Sequence, residues 1–307
     1  MTFPIAAGHP DYSSTGSIQF IPQLWAGKVI VKWYDSTLLP RITNSDYEGQ
    51  IKKQGDTVIL RSIASVTIED HNIGDSFTYE RPSSTPLTML IDKGKRWRIA
   101  LDDVIKVQTD LPLLNQWTDD AGMQMKISIE TSFFADTTIA TGMHANNTGT
   151  SAGVSSLSFN LGTTGSPVQV NAANVLDYII DCGTVLDEQN VPEQGRWFVI
   201  PTWMAGLIKK SDLKDASFSG TTETLRQGRL GMIDRFTLYS SNLLKHSGTS
   251  YYYALFGVNA AITFATQIIQ TEKLRNPFAF EDLVRGLQVY GYKVVKPEGY
   301  GALICYK

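Results

Sequence analysis

Residues 186–201 read Leu186-Asp187-Glu188-Gln189-Asn190-Val191-Pro192-Glu193-Gln194-Gly195-Arg196-Trp197-Phe198-Val199-Ile200-Pro201, and they pass from helix to turn to buried strand. They close a stretch in which Val175, Leu176, Ile179, Ile180, Gly183 and Leu186 share one helical face, with Asn171 or Asn174 placed to cap its start. The residue ahead of a proline is pushed out of the helical region, so the helix ends before Val191 and Pro192. Trp197 to Ile200 is a continuous apolar run that Pro201 stops, the pattern of a buried strand. A short amphipathic turn of helix follows over 203–209. Helices and strands mixed in this way predict an α+β chain.

Working outward, the pattern predicts a strand at 236–239, an apolar stretch at 260–269 and an aromatic-rich terminal strand at 287–295. Upstream, residues 137–176 contain no Asp, Glu, Lys or Arg and are rich in Thr, Gly, Asn and Ser, which reads as loops with short strands such as 154–161. Before them, Asp110 can cap a helix with Pro112 in its first turn, running to about Phe134. Leu114, Trp117, Ala121, Met125, Ile129 and Phe133 form its single apolar stripe, and its length would be ~35 Å. From 41 to 97 apolar and polar residues alternate around Val58 and Leu60, Val66 and Ile68, and Leu87, Met89 and Ile91. Turn signals at Gln54-Gly55-Asp56, Ile73-Gly74-Asp75 and Lys93-Gly94-Lys95 make this a long β-hairpin region. Its eight basic residues (Arg41, Lys52, Lys53, Arg61, Arg81, Lys93, Lys95, Arg96) match eight acidic ones (Asp46, Glu48, Asp56, Glu69, Asp70, Asp75, Glu80, Asp92). Mixed signs suit contact with like copies. Residues 1–42 carry Phe3, Phe20, Trp25, Trp33 and Tyr34 among prolines at 4, 10, 22 and 40, an extended arm whose aromatics need cover from its own body or a neighbour.

The chain has 307 residues, 42% hydrophobic and 10% aromatic, enough for a sizeable core. Charged residues make up 19%, below the roughly 25% usual for soluble proteins, so the surface suits protein contacts. A net charge of −3 argues against a basic footprint for nucleic acid. No apolar run approaches the ~18 residues of a membrane helix and the N-terminus lacks a signal-peptide pattern, so a cytosolic protein is expected. Cys182 and Cys305 lie far apart with no paired spacing, which predicts two buried free thiols.

One catalytic pattern occurs. Gly149-Thr150-Ser151-Ala152-Gly153 matches the G-x-S-x-G of a nucleophile elbow, which requires a sharp strand-to-helix turn. His144-Ala145-Asn146-Asn147-Thr148 ahead of it is no apolar strand, and a chance match is expected in so Gly/Ser/Thr-rich a stretch. A serine hydrolase centred on Ser151, with His246 as the downstream base, is therefore the alternative from a different class. His9, His71, His144 and His246 have no metal-ligand spacing. Asp102-Asp103 and Asp119-Asp120 read as helix-start carboxylates, not as paired acids. No metal, cofactor or catalytic residue is assigned.

The second half resembles the major capsid proteins of tailed double-stranded DNA bacteriophages with the Hong Kong 97-like fold, especially the short-tailed phage type. The stretch 186–201 carries the resemblance. So do Gly228-Arg229-Leu230-Gly231-Met232-Ile233-Asp234-Arg235-Phe236 with Tyr239-Ser240-Ser241-Asn242, Ala260-Ala261-Ile262-Thr263-Phe264-Ala265, and 280–297 with Val284-Arg285-Gly286-Leu287-Gln288-Val289-Tyr290-Gly291-Tyr292-Lys293-Val294-Val295. In the first half the layout is similar, from Tyr47-Glu48-Gly49-Gln50-Ile51 and Gly55-Asp56-Thr57-Val58 to Leu101-Asp102-Asp103-Val104. The resemblance implies an N-terminal arm at 1–42, an extended loop at 43–98, a peripheral domain with a spine helix at 99–140 and 276–307, and an axial domain at 141–275. It implies a non-enzymatic shell subunit forming pentamers and hexamers of an icosahedral head around double-stranded DNA, without sequence-specific DNA contacts. Implied partners are further copies of the chain, with portal and scaffolding proteins and a decoration protein, and the implied place is the virion, assembled in the host bacterial cytoplasm. Trp25, Trp33, Tyr34, Arg61, Glu69, Asp70, Arg81 and Lys93 are the candidate intersubunit contacts. An encapsulin-like compartment shell and a virion decoration or tail protein are the rivals nearest to this reading.

Overall fold

The computed structural model describes residues 37–45, 57–60, 64, 66–71, 73–74, 76, 79–84, 86–108, 113–211, 231–248 and 250–307. The helices are α1 (Leu39–Ile42), α2 (Asp103–Gln108), α3 (Leu113–Ala135), α4 (Thr137–Ala140), α5 (Val175–Glu188) and α6 (Thr202–Ile208). The strands are β1 (Thr57–Leu60), β2 (Leu87–Leu90), β3 (Lys93–Asp102), β4 (Val168–Gln169), β5 (Arg196–Ile200) and β6 (Met232–Ile233). They continue with β7 (Phe236–Ser240), β8 (His246–Ser247), β9 (Tyr251–Val258), β10 (Ile262–Arg275), β11 (Glu281–Val294) and β12 (Tyr300–Tyr306).

The strand that begins at Arg196 lies inside the largest sheet, ordered β4-β12-β9-β5-β7-β6 with β8 paired to β9. It runs parallel to β7 and antiparallel to β9, and every one of its residues is buried. Successive side chains point to opposite faces of a strand. Trp197 and Val199 therefore join one core with Ile129, Phe133 and Phe134 of α3, while Phe198 and Ile200 join a second core with Val175, Ile179, Cys182 and Val185 of α5. The same alternation divides β9 and β12 between the two cores. Two covered faces explain why the sequence of β5 shows no polar alternation.

A second sheet, ordered β10-β11-β3, is built from long antiparallel strands, with a register shift in β10 between Thr266 and Ile268. The two-stranded β1-β2 ladder aligns Thr57 with Leu90 and Leu60 with Leu87. The helix α3 spans the predicted segment, but only its C-terminal half is buried. Ile129, Phe133 and Phe134 are in the core, whereas Trp117 is exposed.

Several expectations are corrected. The Lys93-Gly94-Lys95 turn signal lies inside β3, because Gly94 is held in the ladder opposite Val289. β11 begins at Glu281, not 287, and is not terminal. β9 and β12, absent from the sequence reading, pair Tyr300 with Gly257 and Cys305 with Tyr252. The glycines of these strands sit where the chain is crowded. A side chain at Gly257 would meet the Gly299 carbonyl, and one at Gly301 would meet the Phe256 ring and the Asn147 carbonyl. Residues 154–161 form no strand; the pairing there is an isolated bridge between Ala152 and Phe159. On α5, Ile180 is exposed and Cys182 takes the buried place instead. Neither asparagine caps α5 in the standard way: the Asn171 side chain accepts from the amides of Ala173 and Asn174 in the preceding turn. The boundary at 275/276 that the resemblance implies falls between β10 and β11, which pair along a continuous ladder, and β12 is bonded to β9.

Candidate functional site: the assembly surfaces

The β1-β2 ladder is anchored at its root and bare beyond it. Met89 and Ile91 are buried with Ala265, and half-buried Val289 packs against them. A side chain at Gly291 would meet the Leu90 carbonyl, so that glycine lets β2 lie directly on the β11 backbone. Among the described residues of 66–84, all are exposed, Ile68 at 93% and Tyr79 at 92%. The Thr67 amide donates to Glu80 at 3.1 Å across this segment. Of the candidate contacts, Glu69, Asp70 and Arg81 lie on this exposed segment. Trp25, Trp33, Tyr34 and Arg61 lie outside the described residues.

Lys93 does not lie on that segment. Its Nζ is 3.1 Å from Asp136 and stands over the Tyr292 ring, 5.0 Å from the centroid. Asp136 also caps α4 through the Thr138 amide and accepts from the Tyr292 hydroxyl at 2.6 Å. Burial alone would raise its pKa, but the hydrogen bonds from Tyr292, Thr138 and Lys93 outweigh it and hold the carboxyl well below the usual range. Lys93 is thus engaged inside its own subunit, tying β3 to the junction of α3 and α4.

The far end of the three-stranded sheet is a second bare surface. Phe278 and Phe280, at the turn between β10 and β11, are 95% and 82% exposed, and Val104, Ile105 and Val107 of the adjoining α2 are exposed as well. The Asp103 amide donates to the Phe280 carbonyl at 3.0 Å, joining helix and turn. Charges near this end are mutually paired. Asp282 accepts from Lys106 at 2.7 Å and lies near Lys273 and Arg275, while Arg275 also pairs with Asp103. Lys106 and Lys273 hold the Asp282 carboxyl down to about 2. Asp103 and Asp102 are therefore structural, the latter accepting from the Val104 amide at 2.8 Å. Sequence reading missed Arg275 and Asp282, whose partners Asp103 and Lys106 are remote in the chain.

A third cluster fixes the turn that opens β5. Arg196, 1% exposed, donates to the carbonyls of Pro192 (3.0 Å) and Val191 (2.6 Å) and to Asp187 (2.7 Å). Arg235 reaches the other oxygen of Asp187 at 2.7 Å and Glu193 at 2.7 Å. Burial would raise the Asp187 pKa, but these two guanidinium groups bring it below its ordinary value. The cluster holds the end of α5, β5 and the β6-β7 turn together.

Ser151 sits in an exposed turn between a 3-10 turn at Ala145–Asn147 and the Ala152 bridge. No strand enters it and no helix leaves it, so the elbow geometry is missing. His246 lies on β8, stacked on the Tyr252 ring at 5.3 Å. Among the described residues no group of three or more His, Cys, Asp or Glu could hold a metal ion. Cys182 and Cys305 are free and buried in the same core, where burial raises both thiols, Cys305 to about 12.

Residues 85–303 match the protein family described as phage capsid protein. The chain belongs to that family. A structure from Mycobacterium phage Che8 is similar at 26% identity, covering 92% of this chain and 96% of that one, with a TM-score of 0.76. The capsid structure of cyanophage P-SCSP1u aligns at 14% identity over 99% and 98% of the chains, with a TM-score of 0.70. The mature capsid of bacteriophage PhiM1 aligns at 13% identity over 99% of each, with a TM-score of 0.67. A comparison with curated protein sequences gives no match. The fold is Hong Kong 97-like, and the protein is a structural major capsid protein of a phage head, located in the virion.

Proposed function

We propose that the subunit forms pentamers and hexamers around double-stranded DNA, joined mainly through the exposed 66–84 segment and the Phe278/Phe280 end of the long sheet. One observation supports this most: large apolar side chains, Ile68 and Tyr79 on the segment and Phe278 on the turn, stand almost fully in solvent within a single chain. Heterologous contacts that close into rings suit such surfaces, and several weak contacts per subunit hold a lattice. In this proposal the extended loop comprises roughly 46–92, and the peripheral unit comprises β3, α2, α3, β10 and β11. The axial unit comprises 141–261 together with β12. Portal, scaffolding and decoration proteins are the further partners, DNA is enclosed without sequence-specific contacts, assembly occurs in the host cytoplasm, and the chain has no catalytic role.

Negative-stain microscopy of the purified chain, with and without residues 62–86, tests the reading. Shells from the full chain and soluble, cooperatively melting subunits from the deletion are expected. Equal shell yield from both would overturn the role of the loop.

A further inference from the structure

The even charge count of residues 41–97 conceals a segregation. Residues 62–86 hold Glu69, Asp70, Asp75 and Glu80 against Arg81 alone, a net of −3. Residues 93–98 hold Lys93, Lys95, Arg96 and Arg98 with no acid. An acidic outer loop thus leaves the chain beside a basic strand.

The register shows where that basic charge is displayed. Lys93, Trp97 and Leu101 alternate toward one face of the sheet, while Arg96 and Arg98 are exposed on the other. Arg98 stands opposite Arg285 on β11, and Arg285 opposite Glu272 on β10; in the next row Arg96 stands opposite Leu287, and Leu287 opposite Gln270. Opposed side chains lie about 5 Å apart at Cβ and alternate residues along a strand about 7 Å, so three guanidinium groups share one small area. Arg285 is bonded to Glu272 at 2.8 Å. Among the described residues Arg96 and Arg98 make no ion pair. Glu272 offsets the charge of Arg285, which leaves Arg96 and Arg98 as the two guanidinium groups of this face without an acid among the described residues. Arg96, Arg98, Arg285, Gln270, Glu272 and Leu287 line an open cleft of about 390 Å³, with Leu287 supplying an exposed apolar wall.

From this we infer that the Arg96/Arg98/Arg285 face receives the Ile68-Glu69-Asp70 stretch of a second copy's loop. The complementarity is both apolar and electrostatic. Ile68 is almost fully exposed and matches Leu287, and the two adjacent carboxylates match guanidinium forks able to bind them in bidentate fashion. The described residues of the loop are exposed, and among the described residues no ion pair joins its acids to Arg96 or Arg98, so a second copy's loop can supply the opposite charge. This deepens the proposed assembly by naming the receptor of the loop, and it rests on that reading.

The test is charge exchange in the full chain. Arg96→Glu with Arg98→Glu, and separately Glu69→Arg with Asp70→Arg, should each melt cooperatively yet lose shell yield about tenfold or more, and the four changes together should restore it. Normal shells from the arginine variant, with the 62–86 deletion still abolishing them, would overturn this pairing and leave the assembly role of the loop intact. Normal shells from the deletion would instead defeat the underlying reading. Two defective pair variants without rescue in the combination would overturn the pairing as well. An arginine variant that forms shells but no longer retains DNA would assign the face to the nucleic acid and overturn it too.

Discussion

Replacing Arg196 with methionine isolates what the buried guanidinium contributes to the capsid subunit. The side chain is fully enclosed and donates to the Val191 and Pro192 carbonyls and to Asp187, all within 3.0 Å, with a longer contact of 3.4 Å to the Gly183 carbonyl. Three charge-assisted bonds at roughly 2 kcal/mol each are lost, and burying a methionine in the same volume returns roughly 2 kcal/mol. The balance is ~4 kcal/mol at most, because Asp187 is partly exposed and keeps Arg235 when Arg196 is removed. At ~2–4 °C per kcal/mol, unassembled R196M should melt ~8–16 °C below the parent by calorimetry or circular dichroism. Acidification supplies a second check. The Asp187 pKa is lowered in the folded state, so its contribution is present above the unfolded value near 4 and is lost as pH falls through the folded value. The gap between parent and variant should therefore narrow below about pH 4. A melting point within ~2 °C of the parent, or a gap independent of pH, would refute the assignment of this cluster as the clamp on the turn before β5.

Glu130 lies buried on α3 and accepts from the Leu38 and Leu39 amides at 2.6 and 3.1 Å, and burial raises its pKa. An acid raised on folding loses stability as pH rises from the unfolded value through the folded one, so E130Q should gain on the parent between pH 5 and pH 8 in urea titrations, roughly the range above its ordinary pKa; parallel curves would count against this. The buried Tyr300 hydroxyl has no hydrogen-bond partner among the described residues, so Y300F should match or exceed the parent in stability. A loss of more than ~1 kcal/mol would show that the hydroxyl is engaged. Both thiols should resist a soluble thiol reagent in the folded subunit and react fully in denaturant, because Cys182 and Cys305 are buried and neutral. Rapid labelling of the native protein would contradict their place in the core.

Local chemistry was legible wherever one segment contained its own reason. The proline after Val191, the apolar run 197–200 and the apolar periodicity of 175–188 specify helix, turn and strand without reference to the rest of the chain. The same holds for the long helix, whose apolar spacing marks 113–135 although only its C-terminal half is covered. Tertiary structure decided what depends on distant partners. Gly94 read as a turn, but the ladder holds it inside β3, and close backbone approaches at Gly257 and Gly301 hold these glycines inside β9 and β12. Lys93 looked like a loop charge until Asp136 and Tyr292 claimed it, and Asp103 looked like a helix-start acid until Arg275, from the other end of the chain, paired with it. The sequence by itself determined periodicity, breakers and the family pattern, since these rest on each residue's own stereochemistry. Which face of β3 displays its arginines was decided only by the pairing of β3 with β11, because hydrogen-bond register sets the side to which every second side chain points.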